Sequence, residues 1–242
     1  MTWTDFKLRY QGSVLGYLWA ILKPLFIFLV LNFVFTNLFQ GAAKNYSLQL
    51  LTGIILWLFF AEGTTMGMQS LLSKAHLITK VYIPKYIIVV ASTFNVLISF
   101  CLNLVILAVF FAYYGVTPSL SAVAHFVFYI ILIYFLILGF SFFLSTLFLR
   151  LRDLNQIWEV LLNAGFYAAP IIYPLTIIPE KYHKILFLNP MSFLIQYPKV
   201  YLIEGEQVPF GNNMVITSLV FVIFLAGLIF FKKTAVNSAE HI

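Results

Sequence analysis

Apolar runs of about 20 residues, separated by short polar or proline-bearing stretches, recur from one end of this chain to the other. A run of that length is what a helix needs to cross the roughly 30 Å hydrocarbon core of a bilayer. Lipid offers no water to exposed backbone N–H and C=O groups, so each run must satisfy its own backbone as a helix. A membrane β-barrel would alternate polar and apolar residues at every second position, and these runs do not. Composition agrees: 62% of the 242 residues are hydrophobic and 9% are charged, against about 25% charged in a water-soluble domain. The fold class is therefore all-α and membrane-embedded, expected as a single transmembrane domain over residues 1–242.

Six spans are expected: Leu18–Phe39, Leu48–Leu71, Tyr86–Tyr114, Ala122–Leu149, Leu154–Tyr173 and Asn213–Phe231. Lys7, Arg9, Lys23, Lys74, Lys80, Lys85, Arg150, Arg152, Lys232 and Lys233 fall on one side of this topology, and Lys44, Lys181, Lys184 and Lys199 on the other. That ten-to-four bias places both termini in the cytoplasm. Before the first span, Trp3, Phe6, Tyr10, Val14 and Tyr17 follow steps of three and four, with Asp5, Arg9, Gly12 and Gly16 opposite. This pattern describes an amphipathic helix over residues 1–17, lying in the cytoplasmic interface with its rings in the lipid. The external segment, residues 174–212, holds Pro174, Pro179, Pro190, Pro198 and Pro209, yet Ile185–Leu188 and Met191–Tyr197 are apolar. Prolines stop or start helices, so short helices re-entering the outer leaflet are expected there; an ordinary external loop is the alternative.

The formal charge of +6 does not point to nucleic acid, because the basic residues are scattered at the ends of the runs. Cys101 is the single cysteine, so no disulfide forms within the chain. Met1–Tyr10 lacks the apolar core and small-residue cleavage site of a secretory signal.

Three stretches, in order, carry a family resemblance: Asp5–Pro24; Leu77–Pro84; and Leu151–Ile157 followed by Pro170–Pro174 and Leu188–Pro190. They resemble the permease subunits of ABC-2 type polysaccharide exporters, which handle O-antigen, teichoic acid and capsule. Family members often carry more residues before the first motif, which here begins at Asp5. The resemblance implies a homodimer in the bacterial inner membrane, bound to separate cytoplasmic ATPase subunits and pushing a lipid-linked glycan across. No Gly-x-x-x-x-Gly-Lys-Ser/Thr loop occurs in the chain. ATP and Mg would then sit on the partner subunit, with no cofactor, catalytic group or metal expected on this one.

Coupling to an ATPase requires cytoplasmic handles. The candidates are the N-terminal helix with Asp5 and Arg9, the second loop with Lys74, His76, Leu77, Ile78 and Lys80, and the turn with Arg150, Arg152 and Asp153. The resemblance makes the second of these a coupling helix; plain positive-inside charge is the alternative. For the pathway, sugars present flat apolar faces and hydroxyl rims, which suit rings and amides. Asn155, Glu159, Asn163 and Tyr167 recur at steps of four and share one face of span five, with Phe166 and Tyr173 nearby. Polar groups are costly in lipid, so this face should look into protein or water. Span one offers Phe26, Asn32, Phe33 and Asn37, and the resemblance implies that spans one and five line the channel. Asparagines that merely join helices are the alternative.

Glu62 is an acid well inside span two, flanked by Gly63 and Gly67. An ionisable group at that depth is by default a functional candidate; a structural acid held near Thr64 and Thr65 is the other reading. Gly63-x-x-x-Gly67 would allow close helix packing. Competing functions are ABC-2 export of another cargo (a capsule polymer, drug or lipid) and an integral-membrane glycan-processing enzyme. The outer acids Glu180, Glu204 and Glu206, with His183, are the only enzyme-like grouping, and no motif surrounds them.

Overall fold

The computed structural model describes residues 16, 18–36, 38, 45–80, 83–205 and 210–235, and every regular element among them is helical. In chain order these are α1 (Leu18–Phe35), α2 (Tyr46–Ser73), α3 (Ala75–Lys80), α4 (Lys85–Tyr113), α5 (Leu120–Arg150), α6 (Leu154–Ala168), α7 (Glu180–Leu186), α8 (Pro190–Lys199) and α9 (Phe210–Ala235). A 3₁₀ turn at Leu175–Ile177 precedes α7, and a π-helical turn at Val200–Glu204 follows α8. The amphipathic helix expected before Leu18, with Asp5 and Arg9, lies outside the described residues except for Gly16, as do Asn37 and Glu206.

Among the described residues, α1, α2, α4, α5 and the stretch Gly211–Thr234 of α9 are long and apolar enough to cross a membrane. They coincide with five of the expected spans. The remaining one, expected over Leu154–Tyr173, differs: α6 stops at Ala168 after 15 residues, about 22 Å and short of a bilayer. The cause is Pro170. A residue before proline is driven out of the α region, and Ala169 accordingly turns extended, with φ −82° and ψ 150°.

The chain nevertheless continues in the same direction along α2. Asn155 meets Gln69, Trp158 meets Thr64, and Tyr46 reaches the Ile172 carbonyl. Between these, Gly165 lies against Trp57, and Gly53 against Ile171. Residues 155–172 thus run antiparallel to α2, helical as far as Ala168 and then in turns and bends after the extended Ala169. This non-helical part is buried: Ala169 and Ile171 are 0% and 1% exposed. That matters because irregular backbone at membrane depth is tolerated where protein covers it.

The core is organised around α2, which is buried on nearly every side between α4 and α5. Glycines make this possible. A Cβ on Gly67 would lie 2.3 Å from the Cβ of Ser141, and one on Gly63 would meet Ile137 at 2.8 Å. The expected small-residue pair therefore seats α2 against α5. On the far side of α5, Gly139 packs backbone to backbone with Gly227 of α9. By contrast, α1 packs on α2 and α4 with only Pro24 and Phe28 buried.

Short helices do form in the proline-rich segment. Asn189 caps α8 by accepting from the Met191 N–H at 3.0 Å, and Pro190 occupies the first turn, where its missing N–H costs nothing.

Candidate functional site

The loose seating of α1 leaves a cavity of about 850 Å³ between α1, α2 and α6. From α1 come Lys23 and Phe26, and from α2 come Trp57, Glu62 and Gln69. From α6 come Glu159, Asn163, Phe166 and Tyr167. The four-residue spacing on α6 explains the last set. These side chains stack on one face, and α6 has no fully buried residue, so the face opens into the cavity. Phe26, Glu62, Glu159, Asn163, Phe166 and Tyr167, named above from sequence, are thereby brought together.

The other named pathway residues lie elsewhere. Asn155 sits below the cavity lining, its amide oxygen accepting from Gln69 Nε2 at 2.7 Å. The Tyr173 hydroxyl donates to the Ala168 carbonyl at 2.9 Å, beyond the end of α6. Phe33 is 83% exposed and does not line the cavity. Asn32 accepts from the Thr36 hydroxyl at 2.9 Å.

A second cavity of about 610 Å³ lies on the other flank of α1, between α1, α2 and α4. Lys23, Phe26 and Glu62 line both, so α1 acts as a partition between them. At that seam the Lys23 ammonium stands 3.7 Å from the Glu62 carboxylate. Sequence reading counted Lys23 only as inside charge and missed this partner. The available signal was a cation within one apolar run and an acid within the next. Thr64 and Thr65, the other candidate neighbours of Glu62, donate to the backbone carbonyls of Phe60 and Ala61 at 2.9 and 2.8 Å. Thr64 also accepts from Trp158 Nε1 at 3.1 Å, tying α6 to α2.

Chemically, the cavity combines ring faces, one primary amide on each of two walls, two carboxylates and one ammonium. Rings cover flat apolar surface, while amides and carboxylates exchange hydrogen bonds with hydroxyl groups. Among the described residues, no group of three or more His, Cys, Asp or Glu could hold a metal ion.

Among the described residues, the expected coupling residues of the second loop and of the Arg150–Asp153 turn gather at one end of the bundle. Gly63 and Gly67 meet Ile137 and Ser141 in the same order, so α2 and α5 run parallel and finish together. Beyond α2 comes α3, which carries His76, Leu77, Ile78 and Lys80, with Lys74 just before it. Arg150 ends α5, and Arg152 and Asp153 follow it, all three exposed. Lys80 and His76 are exposed and Lys74 is half-buried. Asp153 precedes the first turn of α6, where a carboxylate suits the helix dipole.

Residues 1–197 match the ABC-2 type transporter family. This chain belongs to that family. It is accordingly a multi-pass membrane protein and a component of a transporter rather than an enzyme. It is similar to two proteins of Klebsiella pneumoniae named O-antigen export system permease protein RfbA. One is 31% identical over 98% of this chain and 91% of the relative, and the other is 30% identical with the same coverage. A Myxococcus xanthus protein of the same name is 28% identical over 98% of this chain and 92% of its own length.

Proposed function

We propose that this chain is the membrane subunit of an ABC exporter that carries a lipid-linked polysaccharide, of O-antigen or teichoic-acid type, across the bacterial inner membrane. The cavity between α1, α2 and α6 is its part of the pathway. The observation that carries this reading is the wall itself: Glu159, Asn163, Phe166 and Tyr167 face Phe26, Trp57 and Glu62 across one space. Rings and hydrogen-bonding groups alternate there as a hydroxyl-rimmed, flat-faced polymer requires. The relatives named for O-antigen export, alignable over nearly the whole chain, supply the cargo class.

In this reading a second copy completes the pathway, and a separate ATPase subunit binds ATP and Mg. The ATPase presses on α3 and on the Arg150–Asp153 turn, which share one end of the bundle. Residues 154–172 make the sixth crossing, as a helix with a non-helical tail. Both termini then lie in the cytoplasm, in keeping with the Lys and Arg bias, and α7 and α8 dip into the outer leaflet.

The test is purification from the native membrane, followed by a search for a bound ATPase and addition of lipid-linked glycan extracted from the same cells. The reading expects an ATPase in the complex and faster ATP hydrolysis with the glycan. A protein isolated alone, or an ATPase indifferent to the glycan, would contradict it.

A further inference from the structure

Where α6 breaks, backbone carbonyls are left without helical partners, and three side chains supply donors. Tyr173 donates to Ala168 O at 2.9 Å and Tyr46, from α2, donates to Ile172 O at 2.6 Å. Between them, Lys199 Nζ donates to Pro170 O from the last residue of α8. Lys199 is 2% exposed, which is exceptional for a lysine, since burying an ammonium costs several kcal/mol unless it is well partnered. Burial pushes its ammonium down to about 7, and the Glu204 carboxylate opposes that shift.

The backbone is shaped to bring the two charges together. Lys199 is followed by the π-helical turn Val200–Glu204, closed by Gly205 N–H to Val200 O at 3.1 Å, with Gly205 at φ +76°. Across this turn the Glu204 carboxylate lies near enough to Lys199 to act on its charge. Glu204 in turn accepts from Gln49 Nε2 of α2 at 2.6 Å. Such single π turns concentrate at functional sites.

We propose that Lys199 is a positioning residue for the transport pathway: by holding the Pro170 carbonyl it anchors the chain just beyond the end of α6, and so sets the position of the wall formed by Asn163, Phe166 and Tyr167. This rests on the reading of the cavity as the pathway. Pro170 is three residues beyond Tyr167, and the clamp joins α8, α2 and the end of α6 in one buried cluster. Movement of α8 is thereby transmitted to the cavity wall.

The experiment uses the complex with its ATPase in membranes, in a Cys101→Ser background, with a reporter cysteine at Ile171→Cys and a control at Ile55→Cys. Both native side chains are almost wholly buried, at 1% exposed. A membrane-impermeant maleimide added from outside should modify the reporter about tenfold faster in Lys199→Met than with Lys199 present, the scale set by loss of a charged hydrogen bond. Lys199→Arg, which keeps a cationic donor, should slow it again, while the control stays slow throughout. Equal reporter rates with lysine and methionine overturn the proposal, and so does acceleration at both positions, which signals general loosening. Should Lys199→Met not accumulate, Lys199→Gln is compared with Lys199→Arg by the same criteria. Labelling does not use the cargo. A wild-type complex that moves no glycan would defeat the export reading, whereas equal labelling rates in a complex that does move glycan would defeat the role of Lys199 alone.

Discussion

The Lys23–Glu62 pair illustrates how little a contact needs to be worth in order to matter. At 3.7 Å, with Lys23 55% and Glu62 23% exposed, it gains no more than about 1 kcal/mol in a water-facing setting. Its placement counts for more, because it is the polar seam between the cavities flanking α1. Lys23→Met with Glu62→Gln in a thermal double-mutant cycle should therefore give a coupling of at most about 1 kcal/mol, while each single change lowers export. The cavity lining gives a sharper contrast. Tyr167→Ala should reduce glycan export about tenfold, in the range of a lost aromatic contact. Phe33→Ala, equally aromatic but 83% exposed and off the cavity, should leave export near wild type. An export assay in cells lacking the chromosomal copy measures both.

At the scale of elements, two helix junctions bear on folding and coupling. Where α2 meets α5, a Cβ on Gly67 would lie 2.3 Å from Ser141 Cβ. Gly67→Leu should cost about 1–3 kcal/mol through overpacking, read as a fall in the midpoint of thermal unfolding of the purified protein. At the other junction, α3 carries Leu77 and Ile78 between basic residues. Leu77→Asp with Ile78→Asp should sharply reduce co-purification of the ATPase, while the protein still reaches the membrane. Undiminished co-purification would remove α3 from the coupling role. Most of the helix pattern was legible because apolar run length is a strong signal: five spans lie close to where hydropathy puts them. The helix end in the α6 span differs from the expected one because hydropathy ignores backbone geometry. Residues 169–173 are apolar, but Pro170 ends the helix, and Tyr46 and Lys199 then satisfy the freed carbonyls from a distance no local pattern reveals. The four-residue spacing on α6 did show which residues share a face. What spacing could not show was the opposite wall, because Trp57, Gln69 and Lys23 are brought there by tertiary packing.

For the molecule as a whole, membrane residence follows from composition and run length, and membership of the ABC-2 family follows from the match over residues 1–197. Export of a lipid-linked glycan is the claim that joins the cavity to the relatives. The most direct measurement places the purified complex, with its ATPase, in sealed vesicles carrying fluorescent lipid-linked glycan. Movement of label to the far leaflet or lumen is followed after addition of ATP and Mg. The account predicts ATP-dependent transfer that is about tenfold slower with Tyr167→Ala and unaltered with Phe33→Ala. Transfer independent of ATP, or none by a complex that hydrolyses ATP, would contradict it.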